Sequence, residues 1–377
     1  MIYLDNAAST KPKQEVIDVM VESMKENFAN ADAIHEFSHK ISQKIKKSRK
    51  IVGDFLGVDG NRIFFTAGGG DGNNLLLQGI IEANSRTKKH LITTKIEHPT
   101  VFENFRYYEQ KGFEVDYLDV DKEGYVDIEQ LKNLLREDTL IVSIGAVNSE
   151  TGTIQNLEEI GKIIKEKSKD IYFHTDFVQG LGTVDIKFDE IPVDAITMSG
   201  HKIYAPKGIG AIYLKKDVKV INVVKGENSE NGIVKRTMPT ELIFAFTKAV
   251  ELLQKNLIYS DACGVGEAFD TEVVRAMMLL RANAISKGYS GVMIETVECL
   301  LNMLNAGVHP IVRSKGSVGS SGDLCPLAHM VLPMMGEGEA EYKGEILSGK
   351  EAMKKAGVST ITLKAKEGLA LINGTQA

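Results

Sequence analysis

From about residue 60 to residue 215 the chain alternates short apolar runs with amphipathic stretches. RIFFTAGGG reads as a strand entering a glycine-rich turn, and DGNNLLLQGIIEAN as the helix after it. HLITTKIEHP predicts the next strand, TVFENFRYYEQKG the next helix and FEVDYLDVD a further strand. DIEQLKNLL is a helix before the apolar run TLIVSIGAV; IYFHTDFVQG and VDAITMSGHK follow as strands, and KGIGAIYLKK closes the series. Unbroken apolar strands separated by helices predict an α/β fold with a mostly parallel sheet, because helices on both faces are what bury both sides of such strands. Ligands of these sheets bind beyond the carboxyl ends of the strands, so strand-end residues are the ones to inspect.

The pattern changes near residue 252. From LLQKNLIYSDACGVGEAFD onward it predicts methionine-rich helices (TEVVRAMMLLRANAISKGY, IETVECLLNMLNAG and LAHMVLPMM) around a glycine- and serine-rich loop, SKGSVGSSGDL. The expected organisation is therefore two portions, residues 1–252 and 253–377, the second mainly α-helical. A length of 377 residues agrees with more than one core.

A formal net charge of −6 offers no basic footprint for nucleic acid or for an anionic membrane. No apolar run is long enough to span a bilayer, and MIYLDNAAST carries no signal region. Three widely spaced cysteines, Cys263, Cys299 and Cys325, argue against a disulfide framework or a zinc site and for a reducing compartment. A cytoplasmic location and no metal are the default expectations.

Four features of the first portion fit one chemistry. In SGHKIYAPKG, Lys202 follows an apolar strand and precedes a Gly/Pro-rich turn. An amine there can form an imine with an aldehyde cofactor if its pKa is lowered, although most lysines are simply surface side chains. In HTDFVQG, Asp176 ends a strand where a carboxylate can face a pyridinium nitrogen, or else cap a helix. Gln179, three residues on, can donate to a phenolic oxygen. TAGGGDGNN, with Gly69 and Gly70, lets backbone N–H groups and a helix start approach a phosphate, though any tight turn favours glycine. His98, in EHP, can stack on an aromatic ring or be an ordinary satisfied histidine.

YLDNAAST, IHEF, the glycine-rich turn, EHPTV, VNSETGTIQ, FHTDFVQ, SGHKIYAPKGIGAIY and GENSENGI resemble, in order, successive blocks of the cysteine desulfurases, which belong to class V of the aminotransferase superfamily. The resemblance covers about residues 1–250 and implies the fold of the pyridoxal phosphate (PLP) aminotransferases. It implies Lys202 as the cofactor-bearing lysine, His98 stacking on the ring, Asp176 at the pyridinium and Gln179 at the phenolic oxygen. Ser199 and His201 are implied phosphate ligands, and Asn148 a substrate or ring contact. The resemblance also implies a small amino-acid substrate and a homodimer in which Thr237 reaches the partner's phosphate.

This chain departs from the family pattern at several places. The phosphate turn reads TAGGGD where the family has TSGGTE, so Gly70 replaces a threonine and Asp71 a glutamate. Loss of one charge-assisted phosphate bond costs about 1.5–3 kcal/mol, roughly ten- to a hundredfold in affinity. A paired asparagine is Ser149 here. After about residue 250 the chain does not resemble the family's C-terminal domain, which carries its nucleophilic cysteine, so sulfur transfer from L-cysteine is expected to be impaired. Cys325, in GSSGDLCPLAH, is more simply a small buried thiol than a substitute.

From about residue 253 to 377 the chain resembles histidine ammonia-lyase, through LQKNLIYSDACGVGE, VVRAMMLLRANAISKGYSGV, GVHPIVRSKGSVGSSGDLCPLAHM, GEGEAEYKGE and AKEGLALINGTQ. That family makes a methylidene-imidazolone electrophile from an Ala-Ser-Gly triplet, here Ser320, Ser321 and Gly322, and uses an asparagine matching Asn373. Its catalytic histidine is Asp261 here. The expected activity is PLP chemistry of the desulfurase type. The alternatives are deamination of L-histidine to urocanate, as in histidine degradation, and a catalytically silent fusion of two enzyme fragments.

Overall fold

The computed structural model describes residues 3, 5–184, 186–226, 229, 232–288, 290, 292–316, 324–363 and 367–373, with the side chains of 254–257, 259, 260 and 369 left aside. The chain divides into two compact units, Met1–Val250 and Glu251–Ala377.

The first unit opens with α1 (Gln14–Glu26) and α2 (Glu36–Leu56). The alternating region then delivers β1 (Ile63–Thr66), α3 (Gly69–Asn84), β2 (His90–Thr94), α4 (Pro99–Gln110), β3 (Glu114–Leu118), α5 (Ile128–Leu134) and β4 (Thr139–Ser143). It continues through α6 (Leu157–Lys167), β5 (Tyr172–Asp176), β6 (Ala195–Ser199) and β7 (Gly210–Leu214), and ends in α7 (Thr240–Asp261), which runs on into the second unit. The sheet order is β1-β7-β6-β5-β4-β2-β3. Five neighbouring strands, β3, β2, β4, β5 and β6, are parallel, whereas β7 is antiparallel to both β6 and β1.

The apolar strands behave as such runs must. Every residue of β1, β2, β4 and β6 is buried, because helices cover both faces; edge strand β3 is half-exposed. One cover is built by Leu76, Leu77, Ile80 and Ile81 of α3 with Val101 and Phe105 of α4. Some polar side chains inside the sheet are paired across strands. The His174 ring bonds the Ser143 hydroxyl at 2.8 Å on one side and the Thr197 hydroxyl at 3.1 Å on the other. Burial pushes the His174 pKa down to about 3, so the ring stays neutral.

The second unit contains β8 (Val265–Ala268), α8 (Thr271–Ser286), α9 (Ile294–Ala306), β9 (Val308–Pro310), β10 (Arg313–Lys315), α10 (Leu324–Val331), β11 (Glu339–Tyr342), β12 (Glu345–Ser348), α11 (Gly349–Lys355) and α12 (Glu367–Ile372). Met278, Met303, Met330, Met334 and Met353 are fully buried in its core beside Leu300 and Leu371. The predicted helices are present. The helical reading missed two small antiparallel sheets, β8 with β10 and β12-β11-β9. These strands are three or four residues long with mostly exposed or half-exposed side chains, too short for alternation to register. The β11–β12 turn places Lys343 at φ 53° and Gly344 at φ 81°, the two positive values that a two-residue type I′ hairpin needs.

Among the described residues, no helix is long and apolar enough to cross a membrane.

Candidate active site

The carboxyl ends of β1, β2, β4, β5 and β6 lie at one edge of the sheet, and a cavity of about 520 Å³ opens there. That size suits a small cofactor with substrate. Of the residues singled out in the first portion, Lys202, His98, Asp176, Gln179, Ser199, His201, Gly69, Gly70 and Asn148 all line it. Thr237 does not; it is exposed on the segment before α7.

Lys202 sits on a short 3-10 turn, Gly200–Lys202, that leaves β6. Two residues on, Tyr204 has φ 64°, a left-handed conformation that costs a non-glycine residue free energy unless its surroundings enforce it. Thr10 supplies the enforcement. Its hydroxyl donates to the His201 carbonyl at 2.9 Å and accepts from the Tyr204 N–H at 2.7 Å, while its own N–H donates to the His201 carbonyl at 2.8 Å. The amine of Lys202 donates to the Ala7 carbonyl, and the Gln179 amide donates to the same oxygen at 3.1 Å. Burial lowers the Lys202 pKa, opposed by the charges of Asp5, Asp176 and Glu150. The neutral, nucleophilic amine is correspondingly favoured.

Asp176 ends β5 and is held from two sides. One oxygen accepts from the Val178 N–H at 2.9 Å, the other from the Asn73 amide at 2.8 Å. Burial raises its pKa, and those bonds together with the His98 and Lys202 charges pull it back. Asn73 also donates to the Thr100 hydroxyl at 2.9 Å, and its carbonyl oxygen is buried with no hydrogen-bond partner. It was missed in the sequence because it lies inside a glycine-rich run on α3.

The start of α3 is built from glycine for a steric reason. A Cβ on Gly69 would stand 2.7 Å from a Val178 methyl, and one on Gly70 would stand 3.1 Å from a Thr100 methyl. Asp71 folds back to accept the Ala67 N–H at 2.8 Å, closing the turn as a capping carboxylate does. Beside it, Ser199 is buried, and burial lowers the His201 pKa, with Lys202 and Lys207 adding to the shift.

His98 caps α4: its Nδ1 accepts from the Thr100 N–H at 3.2 Å and lies 2.8 Å from the Thr100 hydroxyl, with the ring exposed. Its neighbour Glu97 also lines the cavity and was not singled out in the sequence. It accepts from the Thr94 hydroxyl and from the Gly145 N–H, both at 2.9 Å, and burial pushes its pKa up to about 7. No pattern in the chain signals the place of Glu97, which is held by the Gly145 N–H just beyond β4. Asn148 is committed to backbone: it donates to the Ile96 carbonyl at 2.9 Å and accepts from the N–H groups of Glu150 and Thr151.

In the second unit, Ser320, Ser321 and Gly322 lie outside the described residues. Asn373 is half-buried just beyond α12, and burial raises the Asp261 pKa. Cys325 is buried at the start of α10, and burial raises its thiol pKa, as a packed thiol would show.

The chain belongs to the class-V aminotransferase family, whose model matches residues 2–226. The aromatic amino acid lyase model matches residues 221–377. The cysteine desulfurase IscS of Clostridium botulinum is 41% identical over 256 residues, 68% of this chain and 64% of that protein. Histidine ammonia-lyase 2 of Fusobacterium nucleatum is 96% identical over 128 residues, 34% of this chain and 25% of that enzyme. The chain thus spans a quarter of the one relative and just under two thirds of the other. A solved NifS-like protein superposes with TM-score 0.67 at 31% identity, covering 82% of this chain and 77% of its own.

The family implies pyridoxal phosphate. The residues fit such a group: a carboxylate for a ring nitrogen, an amine for an aldehyde, a glycine-lined helix start for a phosphate, and a buried, unpartnered Asn73 oxygen at the cavity wall.

Proposed function

We propose that the cavity of the first unit binds pyridoxal phosphate and acts on a small amino acid, L-cysteine being the substrate that the desulfurase relative's name suggests. One observation carries this reading: an amine, a carboxylate and a glycine-built helix start, distant along the chain, line the same cavity. Lys202 would carry the group, Asp176 would hold the ring nitrogen protonated and Gln179 would bond the phenolic oxygen. His98 would lie against the ring, and the start of α3 with Ser199 and His201 would take the phosphate. When bound, the cofactor supplies an electron sink for the substrate's α-carbon.

The chain's own groups supply the proton traffic. Lys202, with its lowered pKa, accepts and returns the proton at that carbon. Asn73 fixes the Asp176 carboxylate through its 2.8 Å bond. Asn148 positions the Ile96 loop instead of offering a free amide. Thr237, exposed and outside its own chain's cavity, is placed in this reading against a partner's phosphate in a homodimer.

Residues 1–250 contain no cysteine, so the first unit has no thiol of its own to receive sulfur. Sulfur transfer is therefore impaired, and the reactions left to the site are those needing only proton movement, such as racemisation, transamination or β-elimination. In this reading residues 1–252 and 253–377 are separate domains, the second a partial ammonia-lyase.

The test is the visible absorbance of the full chain incubated with pyridoxal phosphate. A visible band that Lys202→Ala removes supports the reading; a colourless wild-type protein overturns it. The 96% identity of the second unit to a lyase favours a second reading for that unit, deamination of L-histidine on a methylidene-imidazolone from Ser320-Ser321-Gly322. An ultraviolet band lost in Ser321→Ala tests it. Absence of both bands would leave a silent fusion.

A further inference from the structure

The second unit gathers two thiols and an imidazole around one backbone turn. Cys263 is exposed in the segment between α7 and β8, while Cys325, the second residue of α10, is 5% exposed. The Cys325 sulfur packs against Gly264, the residue that follows Cys263, and the neighbouring Cys263 thiol helps to raise the Cys325 pKa. The Gly264 N–H additionally donates to His329 Nε2 at 3.0 Å. Two glycines make room for the sulfur. A Cβ on Gly316 would stand 2.5 Å from Cys325 Sγ, and one on Gly264 would stand 3.1 Å from that sulfur and 2.8 Å from His329 Nε2. The third thiol is apart from these: Cys299 is buried and donates to the Ser359 carbonyl at 3.7 Å.

We propose that Cys263 and Cys325 are an oxidisable dithiol, a modification site at which a hydroperoxide converts the pair to an intrachain disulfide. The argument rests on the packing of the Cys325 sulfur against the residue next to Cys263 and on the unequal exposure of the two thiols. Solvent reaches Cys263, so it meets the oxidant first. Its thiolate attacks the peroxide, an S–O bond forms and the O–O bond breaks; the departing hydroxide, or alkoxide from an organic hydroperoxide, takes the proton that the Cys263 thiol gave up and leaves as water or alcohol, giving a sulfenic acid. The Cys325 thiolate then attacks the Cys263 sulfur; the S–S bond forms, the S–O bond breaks and the departing hydroxide takes the proton Cys325 gave up, leaving as water. The two sulfurs together lose two electrons, and the peroxide gains them. Burial, which keeps the Cys325 thiol protonated, protects it from direct oxidation and reserves it for this second step.

The experiment treats the full chain with hydrogen peroxide, alkylates it under denaturing conditions and maps the peptides. The expected result is a Cys263–Cys325 linked peptide, loss of two alkylatable thiols and an intact, alkylated Cys299. Cys325→Ser is expected to leave Cys263 as a sulfenic acid that dimedone traps. Sulfinic acid at Cys263 with Cys325 still alkylatable, or a Cys263–Cys263 bridge between two chains, would overturn the proposal. Should the variant fail to fold, the wild-type map decides alone.

Discussion

The two units place their buried polar groups to different ends. In the first, His174 joins Ser143 and Thr197 across three adjacent strands, and the residues two positions further along the chain, Asp176, Gly145 and Ser199, line a cavity. In the second, the core is methionine and leucine, and a buried carboxylate serves as a tie: Glu367 accepts from the Met293 N–H at 2.8 Å and from the Thr296 hydroxyl at 2.5 Å. Both units carry specific family resemblances, yet only the first brings its implied residues together among those described. A parallel sheet collects its functional groups at one edge, since successive strands all end there. The lyase resemblance reaches a quarter of its relative.

The comparison breaks first at Lys202. Lys202→Ala is expected to abolish the visible band and to cut amino-acid turnover by about 100- to 10,000-fold, measured with cofactor in excess. Next in size, Leu300→Ala in the second core is expected to cost about 2–5 kcal/mol in urea unfolding while leaving cofactor affinity in the first unit unchanged. Loss of cofactor affinity in that variant would show that the units are energetically one. Asp176→Asn sharpens the polar side of the contrast. Losing a charge-assisted bond is expected to weaken cofactor binding by roughly 10- to 100-fold in a spectroscopic titration.

Titration separates two opposing contributions inside the first unit. His174 binds a proton near 6.5 when unfolded and only near 3 when folded, so its contribution to stability falls as pH drops through that interval. Glu97 has the opposite sign. Its ordinary value of 4.5 rises to about 7 on folding, so stability falls as pH climbs between those values. The two slopes oppose each other between 4.5 and 6.5. Glu97→Gln removes one of them, and its urea midpoint is expected to rise with pH across that window where the wild-type midpoint stays flatter. The smallest effect is in the second unit: Gly344→Ala, at φ 81°, is expected to cost about 1–2 kcal/mol by thermal melting.

Much of the first unit was legible because its strands are unbroken apolar runs, and the strand-end motifs holding Lys202, Asp176 and His98 stood out by position. The antiparallel direction of β7 was not, since a buried strand reads the same in either direction. Asn73 and Glu97 escaped because their importance comes from what packs over them: an amide inside a helix and a carboxylate in a loop look ordinary until Asp176 and Gly145 close on them. In the second unit, β8 to β12 are too brief for a period of two to emerge, and the helices around them dominate the pattern. The expected division of the chain near residue 252 rests on a change of texture, from alternating runs to methionine-rich helices.

The clamp made by Thr10 on the Lys202 turn has a practical side. The stretch from Asp5 to Thr10 serves as a wall of the cavity as well as a leader into α1, and three hydrogen bonds hold its far end. A protease that cuts there would open the turn at Tyr204 and silence the site while leaving the sheet intact. Conversely, a bound ligand that fastens this wall would slow such cutting, so the rate of nicking becomes a gauge of occupancy that needs no chromophore.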